Sequence, residues 1–194
     1  MGSDGLANTP VSPLRRLCDR AKVGDEAKAL VTEESSTKPF IGLLVEKELF
    51  RDAIRLVAYL LPKREAIGWG CLCVRHALAS QKDNPLPDVQ VAAERWVSAP
   101  NEENRWAAKQ TADKEKPKTA SGLLAMAVFF AGPSMAPANV QAVPPPDHIT
   151  SEMVANAVIL SGVISEPEKA NEKYRVFMQK ALALMARMQQ PPRQ

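Results

Sequence analysis

The stretch Leu61–Ser80, LPKREAIGWGCLCVRHALAS, decides how the chain is read. Pro62 closes one helical pattern and stands where the next begins, because its ring blocks a continuing helix but suits a first turn. On a wheel of 100° per residue, Ile67, Cys71, Val74 and Leu78 form one apolar seam. Glu65, Trp69, Leu72 and His76 form a second stripe roughly opposite, and Arg64, Gly68 and Arg75 share a narrow third strip. Polar groups thus take only slivers of the circumference, which predicts a central helix packed on several sides. Gly68 and Gly70 fit that reading, since a missing side chain lets a neighbouring helix approach closely.

Outward from this segment, no strand alternation of useful length occurs, so the expected class is all-α. The expected architecture is a compact array of packed helical hairpins, about seven to nine helices, crossed by a long proline-rich strap. Ser12 and Pro13 predict a helix start, as cap and first helical residue. GDEAKALV adds a short helix, TEESSTK a loop, and PFIGLLVEKE another short helix. In Leu49–Leu61, Arg51, Asp52, Arg55 and Tyr59 fall on one face and apolar residues on the rest. Further helices are expected over Asp88–Ser98, after Asn101 as a cap, over Ser121–Ala131, from Thr150 as a cap to Ile164, and over Pro167–Met188. The last carries Tyr174, Phe177, Met178, Ala181, Leu182, Met185 and Met188 on one face and is expected to dock on the body.

The segment between helices, 132–149, holds prolines 133, 137, 144, 145 and 146. It is expected either as a strap across a helical surface or as a functional loop. The predicted organisation is a disordered N-terminal tail over 1–13, a single helical domain over 14–188 and a C-terminal tail over 189–194.

The chain has 194 residues, 45% of them hydrophobic and 24% charged, enough apolar material for a core. A formal charge of +3 without a clustered basic stripe argues against nucleic acid. Aromatics make up 5% and do not interleave with basic residues, so no single-strand stacking surface is expected. The longest apolar run, Gly122–Gly132, is well short of the ~20 residues of a spanning helix, so no membrane insertion is expected. With no apolar leader and an odd three cysteines, the expected address is cytoplasmic.

Cys73 and His76, at i and i+3, can reach one ion, but a structural zinc takes four ligands and no Cys-x-x-Cys pair is present. Cys71 and Cys73, mid-helix in an apolar run, read as packed thiols rather than nucleophiles or metal ligands. No phosphate loop, dinucleotide fingerprint or serine elbow occurs, so no enzyme activity, metal or cofactor is expected. Lys63, Arg64 and Glu65 crowd a first turn, where positive charge opposes the helix dipole. Two readings stand. Either they form an ion-pair corner with the preceding helix, through Asp52 or Glu48 and with Trp69 packed beneath, or they are a recognition patch for a protein partner or an anion.

Asp52, Ala53, Leu61, Pro62, Lys63, Arg64, Glu65, Ala66, Trp69 and Cys71 together resemble the pattern of an uncharacterised bacterial family. NRWAAKQTAD, GLLAMAVFFAGPSMAP and PPPDHITSEMVANAV are also similar to it, so the resemblance spans Pro39–Ile164. It carries no catalytic residue over. It implies a bacterial cytoplasmic helical protein, with relatives that accompany secretion or forkhead-associated signalling genes; Gly68 departs from the bulky aromatic expected there. The function expected is a non-enzymatic helical interaction module, an accessory or adaptor with protein partners in a secretion-related assembly. The alternative is a small-molecule-binding or regulatory helical domain with a pocket near Trp69 and His76.

Overall fold

The computed structural model describes residues 12–79, 86–115 and 119–189. Ten α-helices and one 3-10 turn occur among them, and no strand, so the all-α class holds while the helix count exceeds the seven to nine expected. The helices are α1 Pro13–Arg20, α2 Asp25–Ala29, α3 Thr37–Glu46, α4 Phe50–Leu60, α5 Lys63–Leu78, α6 Asp88–Ser98, α7 Glu102–Glu115, α8 Ala120–Ala131, α9 Ile149–Gly162 and α10 Ala170–Met188, the last preceded by the 3-10 turn Pro167–Lys169. The N-terminal tail expected over 1–13 falls on residues 1–11, outside the described residues, and Pro13 belongs to α1. Of the C-terminal tail, residues 190–194 also lie outside them.

Side-chain caps mark three of the ten helix starts. Ser12 Oγ accepts from Arg15 N (3.2 Å), Asn101 Oδ1 from Asn104 N (2.8 Å) and Thr119 Oγ1 from Gly122 N (3.0 Å), each satisfying an orphan first-turn amide. Thr150 departs from its expected capping role. His148 occupies the cap position of α9, and Thr150 is buried one residue inside the helix with its hydroxyl unpartnered. The stops of α1 and α3 use the left-handed residues Lys22 (φ 53°) and Glu48 (φ 58°). Val23 N returns to Cys18 O and Lys22 N to Asp19 O, and likewise Leu49 N to Leu44 O and Glu48 N to Val45 O, the paired bonds of a Schellman stop without its usual glycine.

α8 and α9 lie at the centre. α8 is apolar around its whole circumference, as a helix enclosed on all sides must be, and packs on α9, α7, α6 and α5. α9 packs on α8, α5, α4 and α10. A Cβ on Gly70 would stand 2.6 Å from Leu124 Cδ2, so glycine is what allows α5 and α8 to approach this closely. Ile67, Cys71 and Val74 are buried, as the wheel of α5 predicts, while Leu78 of the same seam is half-buried; Cys73 is buried as well. Leu72 is not: it is 54% exposed.

α4 and α5, which meet at Pro62 and would be neighbours in an array of packed hairpins, do not pair as one. Leu61 (ψ 140°) and Pro62 (ψ 149°) are both extended, the conformation a residue before proline prefers. Two extended residues swing the chain away instead of reversing it. α4 turns to α9, α3 and α10, while α5 turns to α9, α8 and α6, and the two touch only near the corner. α10 docks as expected, burying Tyr174, Phe177, Met178 and Ala181; Leu182 is only half-buried.

The proline-rich segment is a long irregular connection between α8 and α9. Most of it is exposed, and it closes on itself through Ser134. Ser134 Oγ accepts from Ala136 N (3.0 Å) and Val143 N (3.1 Å), and Met135 N donates to Val143 O (2.7 Å). The neck is thereby pinned at Val143, whose side chain is exposed, as is that of Val140 within the closed loop.

Candidate functional site: a groove between α5, α6 and α10

A groove of about 440 Å³ runs beside α5, with α6 along one side and Leu184 of α10 on the other. Gly68, Trp69 and Cys71 line its base, and Leu72, Val97 and Leu184 its apolar walls. Gly68 keeps it open: a Cβ there would already stand 3.3 Å from Val97 Cγ1, so a longer side chain has only the groove to enter. Trp69 is 1% exposed, and its indole Nε1 donates to Phe177 O (2.9 Å), tying α5 to α10 behind the groove.

Each end carries a charged clamp. Toward the C-terminus of α5, Arg75 Nε donates to Glu94 Oε1 (3.1 Å) and Nη2 to Oε2, a bidentate pair between α5 and α6. Gln90 Nε2 donates to the same Glu94 Oε1 (2.9 Å). At the other end, Arg64 Nε donates to Val97 O (2.8 Å) in the last turn of α6, where a cation meets the negative end of a helix dipole.

The expected corner between Asp52 and Lys63, Arg64, Glu65 is therefore absent. Asp52 Oδ1 accepts from Gly24 N (2.9 Å), at the start of α2, and from Arg55 Nη1 (3.2 Å). Glu48, the other expected partner, pairs with Arg175 (2.8 Å). The cause is the swing at Pro62, which sends Arg64 to α6 rather than back along α4. Arg64, Glu65 and Trp69 are brought together at the groove; Lys63 is exposed beside them; Asp52 is not part of it.

Trp69 and His76 do not share a pocket. His76 is exposed, lies edge-on to Phe177 (centroids 5.8 Å apart) and lines a second groove of about 250 Å³ with Glu166, Lys169, Glu172 and Lys173. Lys173 Nζ is occupied there by Ile164 O (2.6 Å) and Glu166 O (3.2 Å). Among the described residues no three His, Cys, Asp or Glu side chains come together in a way that could hold a metal ion. No helix among them is long and apolar enough to cross a membrane.

Burial, reinforced by the nearby Glu94 carboxylate, pushes the Cys71 thiol up to about 12. Burial raises Cys73 further still, and Cys18 is raised by the same cause. All three are free and buried. A thiol reagent at pH 8 is therefore expected to label none of them quickly in the native protein and all of them on unfolding, because the thiolate is the reactive form. Rapid native labelling at Cys71 would instead make the groove base reactive.

Two features of the site escape a reading of the residues alone. The Arg75–Glu94 clamp joins positions nineteen apart across a helix junction. The exposure of Leu72 contradicts its place in an apparently packed stripe; the polar Glu65 and His76 on that stripe were the available signal.

The chain belongs to a family of unknown function, DUF6931, whose model matches residues 40–185. The match runs from α3 to the last turn of α10, so it takes in every helix that builds the groove. No curated protein and no solved structure matches the chain.

Proposed function

We propose that the chain is a non-enzymatic helical interaction module, an adaptor whose groove between α5, α6 and α10 receives apolar side chains of a partner polypeptide. The observation that carries this reading is Leu72, a large aliphatic side chain standing 54% exposed on the wall of a concave apolar surface. Val91 on α6 and Met188 on α10 add exposed apolar side chains on the helices that flank it. A concave apolar centre with polar ends is the usual form of a site that seats a few anchoring side chains and excludes water around them. The partner is sought first in the cytoplasm among bacterial secretion and forkhead-associated signalling systems, the assemblies that the family resemblance implies.

A photoactivatable phenylalanine analogue at position 72 tests the proposal in the source cell, with one at Val140 of the α8–α9 loop as control. Expected is one crosslinked partner from position 72 that disappears when Gly68→Leu fills the groove. Equal capture at both positions, or capture indifferent to Gly68→Leu, would reject the groove as the partner site. The volume of about 440 Å³ also falls in the range that takes a small organic ligand. Native mass spectrometry of the purified chain, with a bound small mass lost in Gly68→Leu, would favour that second reading.

A further inference from the structure

The groove is electrically lopsided. At one end Arg75 and Glu94 neutralise each other in a bidentate pair, with Gln90 on the same carboxylate, so neither charge is left for a partner. At the other end Lys63 and Arg64 occupy the first turn of α5. Cations there oppose the dipole of α5, so the helix itself does not call for them. Arg64 recovers part of that cost through Val97 O, using its Nε alone. Lys63 is exposed and forms no ion pair among the described residues.

α10 adds to the same end. Lys173 and Val176 lie beside His76 and Ala77, near the C-terminus of α5, whereas Leu184 lies beside the groove. α10 thus runs antiparallel to α5. Arg187, about 4.5 Å further along the axis than Leu184, is carried toward Lys63 and Arg64. It is exposed and, like Lys63, makes no ion pair among the described residues. Met188, 45% exposed, follows it. Among the described residues, the only acid in the groove lining outside the Arg75–Glu94 clamp is the half-buried Glu65. Lys63, Arg64 and Arg187 against Glu65 leave a cationic surplus at one end of an apolar channel.

We propose that the partner is an acidic polypeptide segment, with aliphatic or aromatic anchors seated between Leu72, Val97 and Leu184 and carboxylates following them over Lys63, Arg64 and Arg187. This rests on the groove being the partner site and adds the partner's chemistry and its direction. A second copy of the chain fits poorly. A two-fold contact sets a patch against itself, and the cationic end would meet either its own like charge or the neutralised Arg75–Glu94 end. A bare polyanion fits poorly too, since Leu72, Val97 and Leu184 offer nothing to phosphate.

The test is selection of 16-residue peptides from a random displayed library on the full chain, followed by affinity measurements on synthetic copies of the winners. Expected winners carry Leu, Ile, Phe or Trp at helical spacing with two or more Asp or Glu at one end. Their binding should weaken about tenfold in the charge-reversed variant Lys63→Glu/Arg187→Glu, and similarly when salt screens the exposed pairs. Both substituted positions are exposed, and neither side chain makes a hydrogen bond or ion pair among the described residues; an unchanged melting curve checks that the variant folds. The variant should in turn select peptides bearing Lys or Arg. Winners with no acidic bias that survive charge reversal but not Gly68→Leu would overturn the acidic partner and leave the groove standing. Winners that survive Gly68→Leu, or no winners at all, would overturn both. Poly-glutamate or a single-stranded oligonucleotide bound as tightly as the best peptide would overturn the need for anchors.

Discussion

Replacing Trp69 with alanine is expected to cost about 3–5 kcal/mol of stability, the range for removing a large aromatic from a close-packed interior. The ring is 1% exposed, and its Nε1 supplies a bond to Phe177 O at 2.9 Å. The loss has two parts: a cavity between α5 and α10 that rigid helices close only in part, and the severed tie itself. Trp69→Phe separates them, because phenylalanine keeps much of the volume and none of the donor; it should lose about 0.5–1.5 kcal/mol for the bond plus a smaller packing penalty. Urea unfolding with unchanged m-value measures both. For a chain of this size the alanine variant should melt on the order of 10 °C lower. A loss below about 1 kcal/mol for Trp69→Ala would mean that α10 is not held through this ring.

Arg105→Ala is expected to have the next largest effect, about 3 kcal/mol, from charged hydrogen bonds and stem packing lost together. Arg105 is 2% exposed, an unusual place for a guanidinium. Its Nη1 donates to Phe129 O (2.9 Å), in the last turn of α8, where a cation meets the helix's negative end. Nε and Nη2 grip both oxygens of Glu102 at 2.8 and 2.6 Å. The guanidinium carbon lies 5.1 Å from the Trp106 ring centroid and 5.2 Å from that of Phe129. Gly132, where the chain leaves α8, is shaped around it: a Cβ would stand 2.4 Å from Arg105 Nε. Gly132→Ala should therefore cost about 1–3 kcal/mol in the parent chain and much less beside Arg105→Ala, a coupling that a double-mutant cycle reads directly. Equal costs in both backgrounds would show that the two positions do not press on each other.

The same pair sets an acid dependence. Hydrogen bonds from Arg105, with its charge adding to them, hold the Glu102 carboxyl below its usual range, against a smaller opposing effect of burial. A group whose pKa is depressed on folding adds stability above its unfolded value, about 4.3, and loses that contribution as pH falls through its lower folded value. Glu102 is 62% exposed, so solvent keeps the effect modest. Stability measured from pH 6 down to pH 3 should fall less steeply in Glu102→Gln than in the parent. An identical slope would mean that the carboxylate gains nothing from its partner.

The sequence by itself determined the helices. Ser12 with Pro13, Asn101, the limits Asp88–Ser98 and the apolar face of α10 were all legible, because a helix closes its bonds four residues apart and its caps sit within reach of its own first turn. So was the burial of Ile67, Cys71 and Val74, which follows from periodicity. The helix stops at Lys22 and Glu48 were not legible, since neither residue favours the left-handed conformation and only the packed surroundings hold it there. The site was half legible. Lys63, Arg64, Glu65 and Trp69 stood out as a crowded first turn, but their partners did not. An ion-pair corner through Asp52 or Glu48 needs α4 and α5 to fold back on one another, and two extended residues at Leu61 and Pro62 send α5 elsewhere. Which face of α5 meets α6, which meets α10 and which is left as the groove wall holding Leu72 was decided only in the tertiary structure. Apolar periodicity says that a face is buried without naming its neighbour, and many helix pairings bury it equally well. The choice among them is made by contacts far apart in sequence, such as Trp69 with Phe177, Arg75 with Glu94 and Gly70 with Leu124.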